Sequence, residues 1–193
     1  MANDNKEIEI QVKIEKDVFD SLKCFLGANA NFIKTIYQED DYYTPAHKNF
    51  LEPEHPYEWL RVGKRGDRVV ITYKNYHPKN FKEHVYCDEY ETEVKSKEQI
   101  DKIFSALSFK KLITVKKTRE VYEYNDEFEV ALDTVEELGY NIEIELIKDF
   151  GSIEAGLEVL YKFAKDLGIN PDKRESSGYP MRLLIEKGMV KQA

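Results

Sequence analysis

The chain has 193 residues, of which 41% are hydrophobic, and its formal net charge is −8 at pH 7. This length is sufficient to bury a core in one large domain. The acidic balance argues against nucleic acid and anionic membranes as main partners, because a negative surface repels both. An anionic ligand would therefore need a local basic site or a metal ion.

The cysteine content and the first residues indicate the compartment. Cys24 and Cys87 form no spaced framework, which is typical of free thiols in a reducing compartment. Residues 1–6 lack the apolar run of a signal peptide, and no apolar segment is long enough to cross a membrane. We therefore predict a cytoplasmic protein.

The segment Glu7–Ile14 alternates charged or amide side chains with aliphatic ones. Side chains of a strand point alternately to opposite faces, so this pattern predicts a half-buried strand. Its polar face carries Glu7, Glu9, Gln11 and Lys13. The acid-x-acid pattern returns in Glu89–Val94 and in Ile142–Leu146.

The remaining elements follow in chain order. The first predicted helix begins at Asp17 and ends near Gly27. A capping-box pattern that opens with Ser96 predicts the start of the second. The third carries Ile153 to Leu167. Further strands are predicted near residues 32–43, 59–63, 69–74, 112–124, 127–133 and 141–147. The residues from Arg174 onward are interpreted as a tail.

These elements predict an α+β fold. About eight strands and three one-faced helices favour a closed antiparallel β-barrel with the helices packed on its outside. We treat residues 1–193 as a single domain. Its two halves, about 6–90 and 89–170, share the order of acid-x-acid strand, helix and further strands, which indicates an internal pseudo-repeat.

If the helices cover the aliphatic faces, the charged faces turn toward the lumen. The charged side chains that share these faces are Glu7, Glu9, Glu91, Glu93, Glu129, Asp133, Glu143, Glu145, Arg61, Lys74, Lys117 and Arg119. Withdrawing ions from water is costly unless they are paired, so such a lumen must be wet, internally compensated or filled by a ligand.

A polyphosphate with a divalent metal would match the mixed charges. Carboxylate oxygens hold hard cations such as Mg²⁺ or Mn²⁺, and arginine and lysine hold phosphate oxygens. The alternative is that the polar faces are solvated and that acids and bases pair across strands.

Several short motifs follow one another along nearly the whole chain. They are Glu7-x-Glu9, Gln38–Tyr43, Leu60-Arg61-Val62, Ile71–Lys74, Glu89–Val94, Val115–Tyr122, Leu132–Gly139 and Ile142–Glu145. In this order they resemble the CYTH superfamily of triphosphate tunnel enzymes, most closely its class IV adenylyl cyclase-like branch.

The resemblance implies an eight-stranded antiparallel tunnel that holds a divalent metal, Mg²⁺ or Mn²⁺, and a triphosphate. The metal ligands that it implies are Glu7, Glu9, Glu143 and Glu145. The catalytic residues that it implies are Glu7, Glu9 and Asp133. The phosphate-binding residues that it implies are Arg61, Lys74, Lys117 and Arg119.

The chain departs from the family pattern at three positions. Gln11 stands where the opening motif has lysine, and Lys13, two residues on and on the same face, is a substitute. Gly63 stands where the family has a second arginine, and Arg65 is the next basic residue on that face. Cys87 stands where relatives often have a basic residue. Lys13 and Arg65 therefore join the predicted phosphate-binding set.

The resemblance implies a metal-dependent enzyme of adenylate cyclase type, converting ATP to cyclic AMP and pyrophosphate. An inorganic, thiamine or nucleoside triphosphatase is the alternative, since both reactions need the same charge arrangement. A nonenzymatic nucleotide or polyphosphate binder is a third reading, because Gln11, Gly63 and Cys87 depart from basic positions. The predicted partner is a triphosphate small molecule, with no nucleic acid and no membrane, and the sequence leaves a homodimer open.

Overall fold

The computed structural model describes residues 6–79, 84–175 and 178–191. Residues 1–5, on which the signal-peptide argument rests, lie outside the described residues. The chain divides into two compact units. The first unit comprises Met1–Lys6, Tyr37–Lys116 and Ser177–Ala193, and the second unit comprises Glu7–Ile36 and Lys117–Ser176.

The described residues form nine strands and four α-helices. The strands are β1 (Lys6–Glu7), β2 (Glu9–Lys13), β3 (Asn31–Thr44), β4 (Glu58–Arg65), β5 (Arg68–His77), β6 (Tyr86–Val94), β7 (Lys110–Tyr124), β8 (Phe128–Val135) and β9 (Gly139–Leu146). The helices are α1 (Lys16–Asn29), α2 (Lys97–Ala106), α3 (Ile153–Asp166) and α4 (Gly178–Glu186), with a short 3₁₀ turn at Pro171–Lys173.

The element counts differ from the prediction at two places. The first predicted strand is interrupted at Ile8, so it yields β1 and β2 and raises the strand count within the described ranges to nine. The predicted tail contains the additional helix α4, which buries Tyr179, Leu183 and Leu184. The other predicted elements are present, and no helix within the described ranges is long and apolar enough to span a membrane.

Each unit is built on antiparallel pairing. In the first unit β3, β4, β5 and β6 pair in chain order. In the second unit β7 pairs with β8, β8 with β9, and β9 with β2. Because β9 lies between β8 and β2, its acidic residues are flanked on both sides.

The second unit has a continuous apolar core on one face of its strands. The alternation predicted for the first strand is confirmed, since Ile10, Val12 and Ile14 are buried. Helices α1 and α3 both contact β9, and their residues Leu26 and Leu160 are fully buried in this core. With the aliphatic face covered by helices, the polar residues of the same strands share the opposite face.

Helix α2 buries none of its own residues fully, and it contacts the first unit through the Phe104 ring, which packs on Tyr43, and through charged side chains. The buried carboxylate of Asp41 accepts hydrogen bonds from Lys97 Nζ at 2.5 Å and from Thr114 Oγ1 at 2.7 Å. Lys111 Nζ lies 2.6 Å from the same carboxylate. Burial alone would raise the pKa of Asp41, but the hydrogen bonds from Lys111, Lys97 and Thr114 outweigh it and lower the pKa.

We expect Asp41→Asn to lower the free energy of unfolding at pH 7 by about 2–3 kcal/mol, because Lys97 and Lys111 lose their shared anion. A carboxyl with a lowered native pKa stabilises fully above its ordinary pKa of 3.8 and loses that stabilisation as pH falls through the native value. The difference from wild type should therefore shrink on acidification, as measured by urea unfolding at pH 7 and pH 3.

The matched control is Glu98→Gln, which removes an exposed carboxylate that pairs with Lys102 on the same helix. An exposed pair of this kind contributes about 0.3–0.5 kcal/mol, so the control should stay close to wild type. Equal stability of both variants at pH 7 would contradict the role of Asp41.

Candidate functional site

The polar face of the second unit places predicted site residues side by side on four strands. Across β2 and β9, Glu9 lies opposite Glu145 and Gln11 lies opposite Glu143. Across β8 and β7, Asp133 lies opposite Arg119. Strand pairing thus brings together residues that are more than one hundred positions apart in the chain.

The most buried charges in this unit form the Asp133 cluster, which comprises Lys117, Arg119, Asp133 and Glu143. Asp133 is 0% exposed and Lys117 is 4% exposed. Lys117 Nζ lies 2.9 Å from Asp133 Oδ2. Arg119 donates from Nε to Asp133 Oδ1 at 2.8 Å and from Nη2 to Asp133 Oδ2 at 2.6 Å. Arg119 Nη1 lies 2.8 Å from Glu143 Oε1.

The charges of this cluster compensate one another. Burial would raise the pKa of Asp133, but Arg119 and Lys117 outweigh it and lower the pKa. Burial and the neighbouring Arg119 together lower the pKa of Lys117. Because Arg119 contacts carboxylates through all three nitrogens of its guanidinium, the cluster holds its own ions in place without a ligand.

The predicted metal-binding acids lie on neighbouring positions of the same unit. A carboxylate oxygen of Glu7 and one of Glu9 lie within 4.8 Å of each other. Gln11, which stands where the family motif has lysine, donates from Nε2 to Glu143 Oε2 at 3.1 Å. Its Oε1 is buried and has no hydrogen-bond partner within the described ranges. This set of carboxylate and amide oxygens has the chemistry that Mg²⁺ and Mn²⁺ prefer, so the residues fit a divalent metal.

Glu129 on β8 lies next to the predicted metal-binding acids, because it pairs in register with Glu145 on β9. Its pKa is raised, because burial and the charges of Glu143 and Glu123 outweigh the effect of Arg119 and Lys34.

In the first unit the corresponding polar residues form the Asp40 cluster, which comprises Asp40, Arg61, Arg65, Lys74 and Glu89. Asp40 is 1% exposed. Arg65 binds both of its oxygens, through a short Nη1–Oδ1 contact and through an Nη2–Oδ2 hydrogen bond of 3.1 Å. Lys74 Nζ lies 3.0 Å from Glu89 Oε2.

Arg61 is held more loosely than Arg65. Its Nη1 lies 3.5 Å from Asp40 Oδ2, and its Nη2 lies 3.6 Å from Glu89 Oε1 and 4.0 Å from Glu91 Oε2. Its Nε is buried and has no hydrogen-bond partner in the part of the chain that the structure describes. Burial opposes the charge, but Asp40, Tyr42 and Glu89 outweigh burial and raise the pKa of Arg61. Arg61 is therefore a cation whose guanidinium has a hydrogen bond with Tyr42, while its Nε lacks a hydrogen-bond partner among the described residues.

The structure places the other predicted residues as follows. Lys13 is exposed at the end of β2, opposite Asn141. Glu93 is exposed and pairs with Arg68 at 2.8 Å. Cys87 is buried, and it forms no disulfide within the described residues.

Sequence reasoning did not assign a site role to Asp40 or Glu89. Asp40 lies within a motif that was recognised, between Glu39 and Asp41, but its neighbours are also acidic. Strand parity provides the signal, because Asp40 pairs with Gly63 in register and lies on the same face as Arg61 and Arg65.

Comparison with known proteins settles the family. A family model described as the CYTH domain matches residues 5–179. The chain belongs to the CYTH domain family. The resemblance predicted from the sequence motifs is thus confirmed over nearly the whole chain.

Individual relatives agree with this assignment. A Methanocaldococcus jannaschii protein, named as a candidate adenylate cyclase, is 35% identical over 169 residues, covering 86% of this chain and 91% of that protein. The structure of a Pyrococcus horikoshii protein superposes with a TM-score of 0.74 at 29% identity, covering 91% of this chain and 98% of that one. This likeness confirms the predicted fold class.

A more distant structure has the same fold. It belongs to a Hippeastrum protein described as a candidate adenylyl cyclase that reveals a dominant triphosphatase activity. It superposes with a TM-score of 0.63 at 18% identity, covering 95% of this chain and 96% of that one.

We expect Asp133→Asn to lower the free energy of unfolding by about 3–5 kcal/mol, because it leaves Lys117 and Arg119 buried with one anion fewer. Glu93→Gln is the control, since it removes an exposed carboxylate of a surface pair and should cost no more than about 1 kcal/mol. Chemical denaturation of both variants at pH 7 measures the difference. A loss for Asp133→Asn no larger than that of the control would show that the Asp133 cluster does not stabilise the fold.

Proposed function

We propose that this protein is a metal-dependent enzyme of the adenylyl cyclase-like branch of the CYTH family, which converts ATP to cyclic AMP and pyrophosphate. The observation that carries the proposal is Arg61, a buried cation whose Nε has no hydrogen-bond partner among residues 6–79, 84–175 and 178–191. A guanidinium in this state fits an anionic oxygen of a ligand, because an unpaired buried donor is costly until a ligand satisfies it. The 35% identity to the Methanocaldococcus jannaschii protein supports the cyclase assignment.

Each group has a role in this proposal. Arg61 and Lys74 are the phosphate-binding residues proposed in the first unit, and Lys117 and Arg119 of the Asp133 cluster are those proposed in the second unit. Arginine binds phosphate through two nitrogens, whereas lysine acts as a point charge.

The acids Glu7, Glu9, Glu143 and Glu145 are assigned to the metal, Mg²⁺ or Mn²⁺. When bound, such a metal polarises the phosphoryl group and favours ionisation of the attacking hydroxyl. In the cyclase reaction the ribose 3′-hydroxyl of ATP attacks the α-phosphorus and gives up its proton to solvent, and pyrophosphate leaves with the electrons of the broken P–O bond. Arg61 offsets the charge that develops on the phosphate oxygens.

Two other outcomes use the same charges differently. In a triphosphatase, water attacks the terminal phosphorus, and orthophosphate is released. In a nonenzymatic binder, triphosphate binds but no bond is broken. The observation that favours this outcome is that Gln11, Gly63 and Cys87 stand where the family has basic residues.

One experiment distinguishes the three. The pure protein is incubated with Mg²⁺ or Mn²⁺ and, separately, with ATP and with inorganic triphosphate, and the products are resolved. Cyclic AMP with pyrophosphate is the expected result. Orthophosphate release would replace the cyclase proposal with the phosphohydrolase, and saturable binding without product would replace both with the binder.

We expect Glu9→Gln to reduce metal-dependent turnover by about 100-fold, because it removes a charged oxygen from the proposed metal-binding set. Thermal unfolding should stay close to that of the wild type, since Glu9 is only half-buried. The matched control is Glu93→Gln, an exposed strand acid outside the proposed metal-binding set. Turnover of Glu9→Gln equal to that of the control would remove Glu9 from the site.

A further inference from the structure

Arg65 contacts Asp40 diagonally across the β3–β4 strand pair. In the register of β3 and β4, Asp40 pairs with Gly63, and Arg65 lies two residues further on the same face. The guanidinium of Arg65 nevertheless reaches back and binds both oxygens of Asp40. Its side chain is 13% exposed, so this contact is largely removed from water.

The missing side chain at Gly63 makes this contact possible. A Cβ at position 63 would overlap the Asp40 carboxylate and would lie 2.7 Å from Arg65 Nη1 and 3.0 Å from Arg65 Cζ. The guanidinium of Arg65 therefore occupies space that any other residue at position 63 would need. Gly63, which departs from the family pattern, and Arg65 form one arrangement.

The contact of Arg65 with Asp40 changes what Arg61 can do. Arg65 binds both carboxylate oxygens of Asp40, whereas Arg61 lies 3.5 Å from one of them, which is too long for a strong charge-assisted hydrogen bond. Its Nε is left without a partner within the described ranges. Arg119 in the second unit shows the opposite case, since its Nε donates to Asp133 at 2.8 Å.

We propose that Arg65 is a positioning residue: it neutralises Asp40 through the space left by Gly63, so that Arg61 keeps its donors for a phosphate oxygen of the ligand. This inference rests on the proposed binding of a triphosphate. It gives Arg65 a different role from the direct phosphate contact predicted from the sequence. Without Arg65, Arg61 would turn to Asp40 and pair with it.

The test is a double-mutant cycle on binding of inorganic triphosphate in the presence of Mg²⁺, measured by isothermal titration calorimetry. Arg61→Gln and Arg65→Gln should each weaken binding by about 10-fold or more, as expected for loss of one charge-assisted contact. In the Arg65→Gln background, Arg61→Gln should add less than about 3-fold, because Arg61 is already paired with Asp40 there. Additive losses would overturn the inference, since they would show that Arg65 binds phosphate independently.

A rescue variant separates positioning from a structural role. Combining Arg65→Gln with Asp40→Asn removes both members of the pair and frees Arg61 from its competing anion. Triphosphate affinity should then return to within about 3-fold of wild type, because the competing carboxylate at position 40 is gone while Glu89 still lies 3.6 Å from Arg61 and offsets its charge. Persistent weakness of this folded double variant would overturn the inference.

The controls identify which claim fails. Arg68→Gln removes an exposed arginine at the start of β5, which lies opposite Arg65 in the strand pairing, and it should leave binding unchanged. Gly63→Ala should reproduce the loss seen in Arg65→Gln, because the added Cβ displaces the guanidinium. If the wild-type protein binds no triphosphate, both the proposed function and this inference are wrong. If the wild type binds but Arg65→Gln behaves like Arg68→Gln, only the inference is overturned.

Discussion

The pairing of buried charges on the polar faces of the strands is the interaction on which the rest of the structure depends. Helices cover the aliphatic face of strands such as β2 and β9, so the opposite face must accommodate charged side chains. Asp40 and Asp133 are almost fully buried, and each binds guanidinium groups. Because an unpaired buried ion is far more costly than a paired one, these pairs determine which side chains remain available to a ligand.

The two clusters pair their buried charges in different ways. In the Asp133 cluster, Arg119 contacts carboxylates through three nitrogens and Lys117 is bonded to Asp133. In the Asp40 cluster, Arg65 takes the carboxylate and Arg61 is held at longer distances. The first arrangement is self-compensated, whereas the second leaves the Nε of Arg61 without a hydrogen-bond partner among the described residues. The burial of Asp40, Lys117 and Asp133 does not agree with solvated polar faces. The pairing of acids and bases across strands, which the same alternative predicted, is present, as between Arg119 and Asp133.

The contacts of Gly63 and Gln11 show how the chain accommodates residues that differ from the family pattern. Gly63 removes one basic residue but opens the space that Arg65 uses. Gln11 replaces a cation with an amide that donates to Glu143 and retains a buried oxygen. The departure at position 63 therefore accompanies a changed pairing, in which Arg65 binds both oxygens of Asp40.

The sequence by itself determined the family, the fold class and the identity of most charged residues on the polar faces. These follow from local features: alternation along a strand is a property of the backbone, and motif order is read directly along the chain. It also predicted the start of α2 at Ser96, whose hydroxyl accepts a hydrogen bond from the backbone N–H of Gln99. The break at Ile8 and the helix α4 were missed, because strand interruptions and short terminal helices depend on packing rather than on periodicity.

Only the tertiary structure decided how the charges are distributed among their partners. Arg61 and Arg119 are equivalent in a sequence pattern, each being a basic residue on an alternating strand. Their difference depends on strand register, on the reach of Arg65 and on the space beside Gly63. These are distances between residues remote in the chain, and no local pattern encodes them. The sequence thus specifies which ions lie on a face, and tertiary packing specifies which of them a ligand can use.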